Sequence, residues 1–399
     1  MAIPMYFYID GAIEVGGFGF MYHYLYGIGI IALGVIAMMF SCNNKYIARL
    51  IKTTFILSLS YLISLVISMI IWGFEYETKE HMITGAFMDI YVILALLVST
   101  ATVFLFKDYA VVVSCIAMGI GNGIIVVNEM MINPPEFINQ LIALVVTFGE
   151  DTGIMMHHVE VHDLTFGFGL YLMYALLDKK LKGRKLVIAI SLLFSITGLK
   201  RIAFIGIVLG GAVYLLLHKI PRKRLRGICI GICIVVIIFT FCWIIAVHTG
   251  ILDILEEMGV DTKGRNLIFR QLNQLFTVSP FFMGRGVGWS KHAYDTLNQR
   301  HVIDDAFHNE YVRIYIEHGF MGYLMWIIAN TVLRYVHLER TDGKKAGLLY
   351  IAIMLFAYST YASDNTAMYF YTNMAIFTLA LQCDAVAEIR ENNKLIANN

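Results

Sequence analysis

Arg201, Arg265 and His308 are the side chains of this sequence whose surroundings demand a partner. Arg265 opens GRNLIFRQLNQLF, residues 264–276. At ~100° per residue, Leu267, Ile268, Phe269, Leu272, Leu275 and Phe276 make one apolar stripe, and Asn266, Arg270, Asn273 and Gln274 the opposite face. Arg265 falls inside the stripe, where a guanidinium needs an anion, whereas Arg270 can be solvated. The plain alternative for Arg265 is fraying at the helix start or a pair with Asp261. Lys200 and Arg201 sit between an apolar run of twelve residues and one of sixteen. Twelve residues of helix cover ~18 Å of a hydrocarbon core ~30 Å thick, so the two cations form a recessed hairpin tip. Cations at that depth face a water-filled cavity or an anionic group, the first sign of a site for an anionic lipid headgroup.

His308 begins HNEYVRIYIEHG, residues 308–319, which predicts a short helix capped by Asp304 or Asp305 and stopped by Gly319. His308, Val312 and Tyr315 share one face, and Arg313 and Glu317 can pair at i, i+4 beside it. A first-turn histidine is held neutral by the helix dipole, the form that takes a proton. Taken singly, such a histidine is more often structural.

Other residues carry two readings each. Arg285, between the glycines of GRGVGW (284–289), is a third anion ligand or a solvated arginine in a turn. His158 and His162, with Glu160 between and His157 and Asp163 adjoining, suggest a divalent metal, a contact with a sugar or lipid headgroup, or a solvated loop. The alternation with Val159 and Val161 reads as an extended segment, and metal is the weakest of the three. Asp364, in SDNTAMY (363–369), orients His308, binds a sugar or simply makes a turn; the turn is favoured. Trp289, Tyr294 and Tyr311 are aromatic surfaces suited to carbohydrate stacking.

The elements that position these residues are set by composition. With 59% hydrophobic and 15% charged residues among 399, the chain reads as an all-α polytopic membrane protein. Candidate spans are 22–40, 53–72, 85–106, 109–127, 164–177, 186–197, 202–217, 227–247, 320–337, 346–362 and 367–383, about eleven helices. Residues 137–149 are too short to cross and are expected to lie at the interface. The first apolar run has no basic stretch ahead of it and continues into a full span, so no cleaved leader is expected. If the first span runs inward, twenty of the thirty lysines and arginines fall inside, seven in the loop 249–319, and only Lys79, Lys200 and Arg201 in short outer segments. The long loop is therefore expected outside and the C-terminus inside. The organisation is an N-terminal bundle (1–248) with its basic tip at 198–201, a working loop with short amphipathic helices (249–319), and C-terminal spans (320–399). A net charge of +1 argues against nucleic acid as a partner. The six cysteines all lie in or beside apolar runs, so no disulfide framework is expected and Cys229 and Cys233 read as packing residues.

The order GLKRIAF (198–204), GRNLIFRQL, FMGRGVGW and HNEYVRIYIEHGFMGYL (308–324) resembles the O-antigen polymerase and ligase family, over about half of the chain. One departure is Lys200-Arg201 where the family often has Ser-Arg, which leaves open which of the two meets the ligand. The resemblance implies a GT-C-like bundle acting on polyprenyl-diphosphate-linked glycans at the outer face of a bacterial plasma membrane. It implies Arg201 and Arg265 as holders of the donor diphosphate and His308 as the group beside the acceptor hydroxyl. Lys200, Arg270, Arg285, Asn309, Tyr311, His158, His162 and Asp364 are the further substrate contacts expected around them. No metal and no cofactor is expected; the donor and acceptor are undecaprenyl-diphosphate-linked oligosaccharides, and chain-length regulator and flippase proteins are further candidate partners. Arginine forks suit diphosphate oxygens and stabilise charge developing on a departing diphosphate. The leading expectation is a polymerase of lipid-linked repeat units. A ligase that moves a finished glycan to another acceptor is second. A transporter of lipid-linked sugars is third, since it calls for inverted repeats and midplane charges in several spans.

Overall fold

The computed structural model describes residues 19–74, 82–132, 134–135, 137–139, 142, 161–198, 201–259, 265–274, 276–290, 293, 309–362 and 366–382. Among them every regular element is helical: α1 (Gly19–Met39), α2 (Asn44–Phe74), α3 (Met82–Phe106), α4 (Ala110–Ile132), α5 (Val161–Leu177), α6 (Arg184–Gly198), α7 (Arg201–Leu217), α8 (Arg222–His248), α9 (Ile251–Glu257) and α10 (Arg265–Leu272). Then follow α11 (Glu310–Ile328), a π turn (Ala329–Leu333), α12 (Arg334–Asp342) and α13 (Lys344–Tyr361). The final helix is α14, residues 370–382. Long runs of Val, Ile, Leu and Phe without an internal proline carry these helices, since lipid leaves the backbone no partner but itself. Pro221 stands where its missing N–H costs nothing, at the N-cap of α8.

α13 is the centre of the bundle, buried on nearly every side and packed on α7, α12 and α10's neighbour α8. A helix apolar all round belongs in such a place. α5 lies against α6, and α2 packs on both α3 and α11. The outer helices keep wide apolar faces open: Phe55, Val66, Met69 and Ile70 on α2, and Ile234, Val235, Ile238 and Phe239 on α8. Faces of that extent suit contact with lipid tails. Cys229 and Cys233 are buried in the α8 seam, as packing residues should be.

Among the described residues, three stretches are long and apolar enough to cross a membrane, Asn44–Phe74, Asp89–Ile124 (across α3 and α4) and Arg222–His248, with shorter apolar helices at Gly27–Met39, Leu164–Leu177 and Arg201–Leu217. This supports a helical membrane protein; the expected count of about eleven spans is not confirmed by it. The first half of α11 carries Glu310, Arg313, Glu317 and His318, and α6 is only 15 residues long. The extended segment expected at 157–163 gives way to helix from Val161, the start of α5. Of the expected interfacial stretch, residues 137–139 and 142 are helical.

Candidate functional site

Asn309 caps α11 with its side-chain oxygen, which accepts the backbone N–H of Val312 at 3.2 Å. The expected cap at Asp304 or Asp305 is thereby corrected: those residues lie outside the described ones, and the helix starts at Glu310. The cap places position 308 immediately ahead of the helix. His308 itself lies outside the described residues.

The first half of α11 ends at Gly319, whose φ of 69° and ψ of −175° break the helix before it resumes. The break frees carbonyls that a loop from Phe282 to Ser290 takes up. Arg285 N–H donates to Ile316 O at 2.9 Å, Gly286 N–H to Glu317 O at 2.8 Å, and Phe320 N–H to Phe282 O at 2.9 Å. Contact is so close that a Cβ on Gly319 would stand 2.3 Å from the Phe282 oxygen, and one on Gly284 2.4 Å from the Gly319 nitrogen. Both glycines also have φ in the left-handed region. GRGVGW and the HG at 318–319 are thus two halves of one joint.

The half-helix is fixed from below by buried charges. Arg313 donates from Nε to Glu310 Oε2 at 2.6 Å and from Nη1 to Glu317 Oε2 at 2.8 Å. The other oxygen of Glu317 accepts Gly288 N–H at 3.1 Å and the Ser290 hydroxyl. Glu310 and Glu317 have no exposed surface. Their carboxylates outweigh the burial of Arg313, which alone would lower its pKa, and hold the guanidinium above its ordinary range. Such a cluster costs desolvation on assembly, yet deleting one member strands the others.

His318 extends the network into the bundle. Its Nδ1 is 2.8 Å from Ile314 O, a pure acceptor, so Nδ1 carries the proton. Nε2 then faces the Ser64 hydroxyl on α2 at 2.5 Å, and Ser64 in turn meets the carboxylate of Asp89 on α3. Ser64 has one proton and two acceptors facing it, so a second proton shared along Asp89, Ser64 and His318 completes both contacts. Burial first, and the Arg313 charge with it, pushes the imidazole down to about 4, leaving it neutral at physiological pH. One turn along α2, Ser68 Oγ accepts Val287 N–H at 2.9 Å and ties the loop to the same helix.

The residues expected in the site fare differently. Arg201 opens α7 and is exposed, and Lys200 lies outside the described residues. Arg265 opens α10, whose stripe of Ile268, Phe269 and Leu272 is buried together with Phe276. Arg270 points the other way, as the wheel requires, but is taken by Asp253 on α9: its Nε is 3.0 and 3.1 Å from the two carboxylate oxygens. Arg270, expected as a substrate contact, is thus an exposed partner of Asp253, and that carboxylate raises its pKa. Tyr311 is corrected: it is fully buried, its hydroxyl donates to Tyr358 O, and no ring face is left for a sugar. Arg285 remains partly accessible, with its guanidinium 5.7 Å from the centre of the Trp289 ring. His162 falls in the first turn of α5; His158 and Asp364 lie outside the described residues. Among the described residues no group of three His, Cys, Asp or Glu side chains is arranged to hold a metal.

Asp89, Ser64, Glu310 and His318 escaped the sequence reading. Asp89 gave a signal, as the one ionisable residue in an otherwise apolar run, and intramembrane acids of that kind are seldom idle. Ser64 gave none, because serine in an apolar helix is ordinary. Compared with known protein families, residues 186–327 match the family whose description is O-antigen ligase, Wzy_C. No curated protein matches the chain.

Proposed function

We propose, on the premise that residues 186–327 carry the O-antigen ligase domain of the polymerase and ligase family, that the chain transfers glycans from a lipid diphosphate carrier. The observation that supports this reading most directly is the pinned half-helix. A buried ion cluster, a glycine joint and an asparagine cap converge on the residue that follows His308, the kind of rigid support a reacting group requires.

In this reading the acceptor hydroxyl oxygen attacks the anomeric carbon of the donor sugar, and the bond from that carbon to the diphosphate oxygen breaks. The diphosphate leaves with the electron pair, and the hydroxyl proton passes to His308. Arg201 and Arg265 hold the diphosphate and stabilise its growing charge, with Arg285 and Lys200 as further cationic contacts. His158, His162 and Asp364 are proposed to line the sugar path, while Asn309, buried as the cap of α11, acts by holding the helix start. No nucleotide sugar or metal takes part. The donor and acceptor are undecaprenyl-diphosphate-linked oligosaccharides, and the reaction takes place at the outer face of a bacterial plasma membrane.

The polymerase form of this reaction uses a new lipid-linked repeat unit as acceptor, and chain-length regulator and flippase proteins belong beside it. The ligase form moves a finished glycan to another acceptor, and the description of the matching family favours it. Incubating the purified protein in nanodiscs with the host's lipid-diphosphate repeat unit alone separates the two. A ladder of lengthening glycans is the polymerase outcome; no ladder, but transfer once a second acceptor is supplied, is the ligase outcome. His308→Ala and Arg265→Ala are each expected to abolish product while the protein stays folded. Near-normal product from either variant would overturn the assignment.

A further inference from the structure

Arg334 lies deep in the bundle, 5% exposed, at the first position of α12 directly after the π turn 329–333. One face of its guanidinium is accounted for: Nη2 donates to Leu57 O and to Ser60 Oγ at 2.8 Å, and the rings of Tyr61 and Phe377 lie 5.8 and 5.7 Å away. The other face borders a cavity lined by Asn330, Arg334, Tyr350, Tyr358, Tyr361 and Asn373 together with four apolar residues. No carboxylate lines it among the described residues, and the buried carboxylates of Glu310 and Glu317 are taken by Arg313.

Three polar atoms on this lining are buried without a hydrogen-bond partner among the described residues: Arg334 Nε, Asn330 Nδ2 and the Tyr358 hydroxyl. All three donate or can donate a proton. The π turn supports this arrangement, since an irregular turn inside a helix commonly marks a ligand site, and here it carries Asn330. The groups around Arg334 are all neutral, so an anion would supply the counter-charge that they and water do not. The cavity measures about 20 Å³, above the ~10–15 Å³ that admits one water, which gives room for a group as small as a monatomic anion.

We infer that Arg334, Asn330 and Tyr358 form a buried binding site for a single small anion of halide size in the centre of the helical bundle. The anion closes the three open donors and neutralises Arg334, tying α11 and α12 to α13 independently of the glycan chemistry. It is a structural ligand, so its effect belongs to the folded protein as a whole.

The test is thermal melting of the full chain in detergent, with sodium chloride or bromide raised against sodium gluconate at constant ionic strength. A saturable rise is expected, of about 2 °C once the halide is tenfold above its dissociation constant. Tyr358→Phe and Asn330→Leu each remove one donor and should shift the midpoint of that rise several-fold to higher halide; Arg334→Met should abolish it. Should Arg334→Met not fold, the two milder variants still decide. In crystals grown in bromide, an anomalous peak beside Arg334 Nε is expected. Identical melting in halide and gluconate would mean that water fills the cavity and would overturn the inference. A halide response unchanged in both Tyr358→Phe and Asn330→Leu would overturn it equally.

Discussion

Replacing Arg313 by methionine keeps the length of the side chain and removes its charge. Three donated contacts vanish: those of Nε and Nη2 to Glu310 Oε2, at 2.6 and 2.5 Å, and that of Nη1 to Glu317 Oε2, at 2.8 Å. Glu317 keeps Gly288 N–H and the Ser290 hydroxyl on its other oxygen. Stranding a buried charge in this way costs about 3–5 kcal/mol, which lowers the melting temperature by roughly 4–6 °C in a chain of this size. The unpaired carboxylates should take up protons more readily, so the deficit should shrink as the pH is lowered from 7.5 towards 5. Adding Glu310→Gln and Glu317→Gln to the variant should recover much of the loss, because neutral amides of the same shape are cheap to bury. Thermal melting of the three proteins in detergent at both pH values reads all of this. A single variant within about 1 °C of the parent, or a triple variant as unstable as the single, would refute the reasoning.

Two further outcomes follow from the same site. His318 has a folded pKa of about 4 against 6.5 when free, so between those values the unfolded chain binds the extra proton. Stability is thus full above pH 6.5 and falls by roughly 3 kcal/mol as the pH drops to 4; His318→Asn should flatten that slope in a pH series of melting curves. Asn309→Ala removes the helix cap and should cost about 1 kcal/mol, with Asn309→Asp restoring it; glycan transfer should suffer far more than stability in the alanine variant.

The all-helical character and the apolar stripe of α10 were legible because both rest on periodicity, which burial in Ile268, Phe269 and Leu272 obeys. So was the Arg313 to Glu317 pair, a matter of helical spacing. The cap at Asn309 was missed because two aspartates upstream offered the same chemistry, and only the position of the helix start chooses among them. Tyr311 was misjudged for a related reason: a tyrosine in a polar loop suits a sugar or a core, and the proximity of Tyr358 and Tyr361 decides it. The link from Asp89 through Ser64 to His318 joins residues 25 and 254 positions apart. No local spacing rule reaches that far. Arg270 read as open because Asp253 belongs to a different short helix, 17 residues away.

The break at Gly319 has a mechanical meaning. An unbroken rod from residue 342 to 309 would act as a lever with its fulcrum in the membrane. The ten residues beyond the break would form an arm of ~15 Å, so a tilt of about 5° below it would carry the tip by ~1.3 Å. Catalytic groups tolerate only about 0.5 Å of misplacement. With the arm cut at Gly319 and clamped to the loop at Ile316 and Glu317, tilting of the half that follows Gly319 is absorbed at the joint, and Asn309 stays in place.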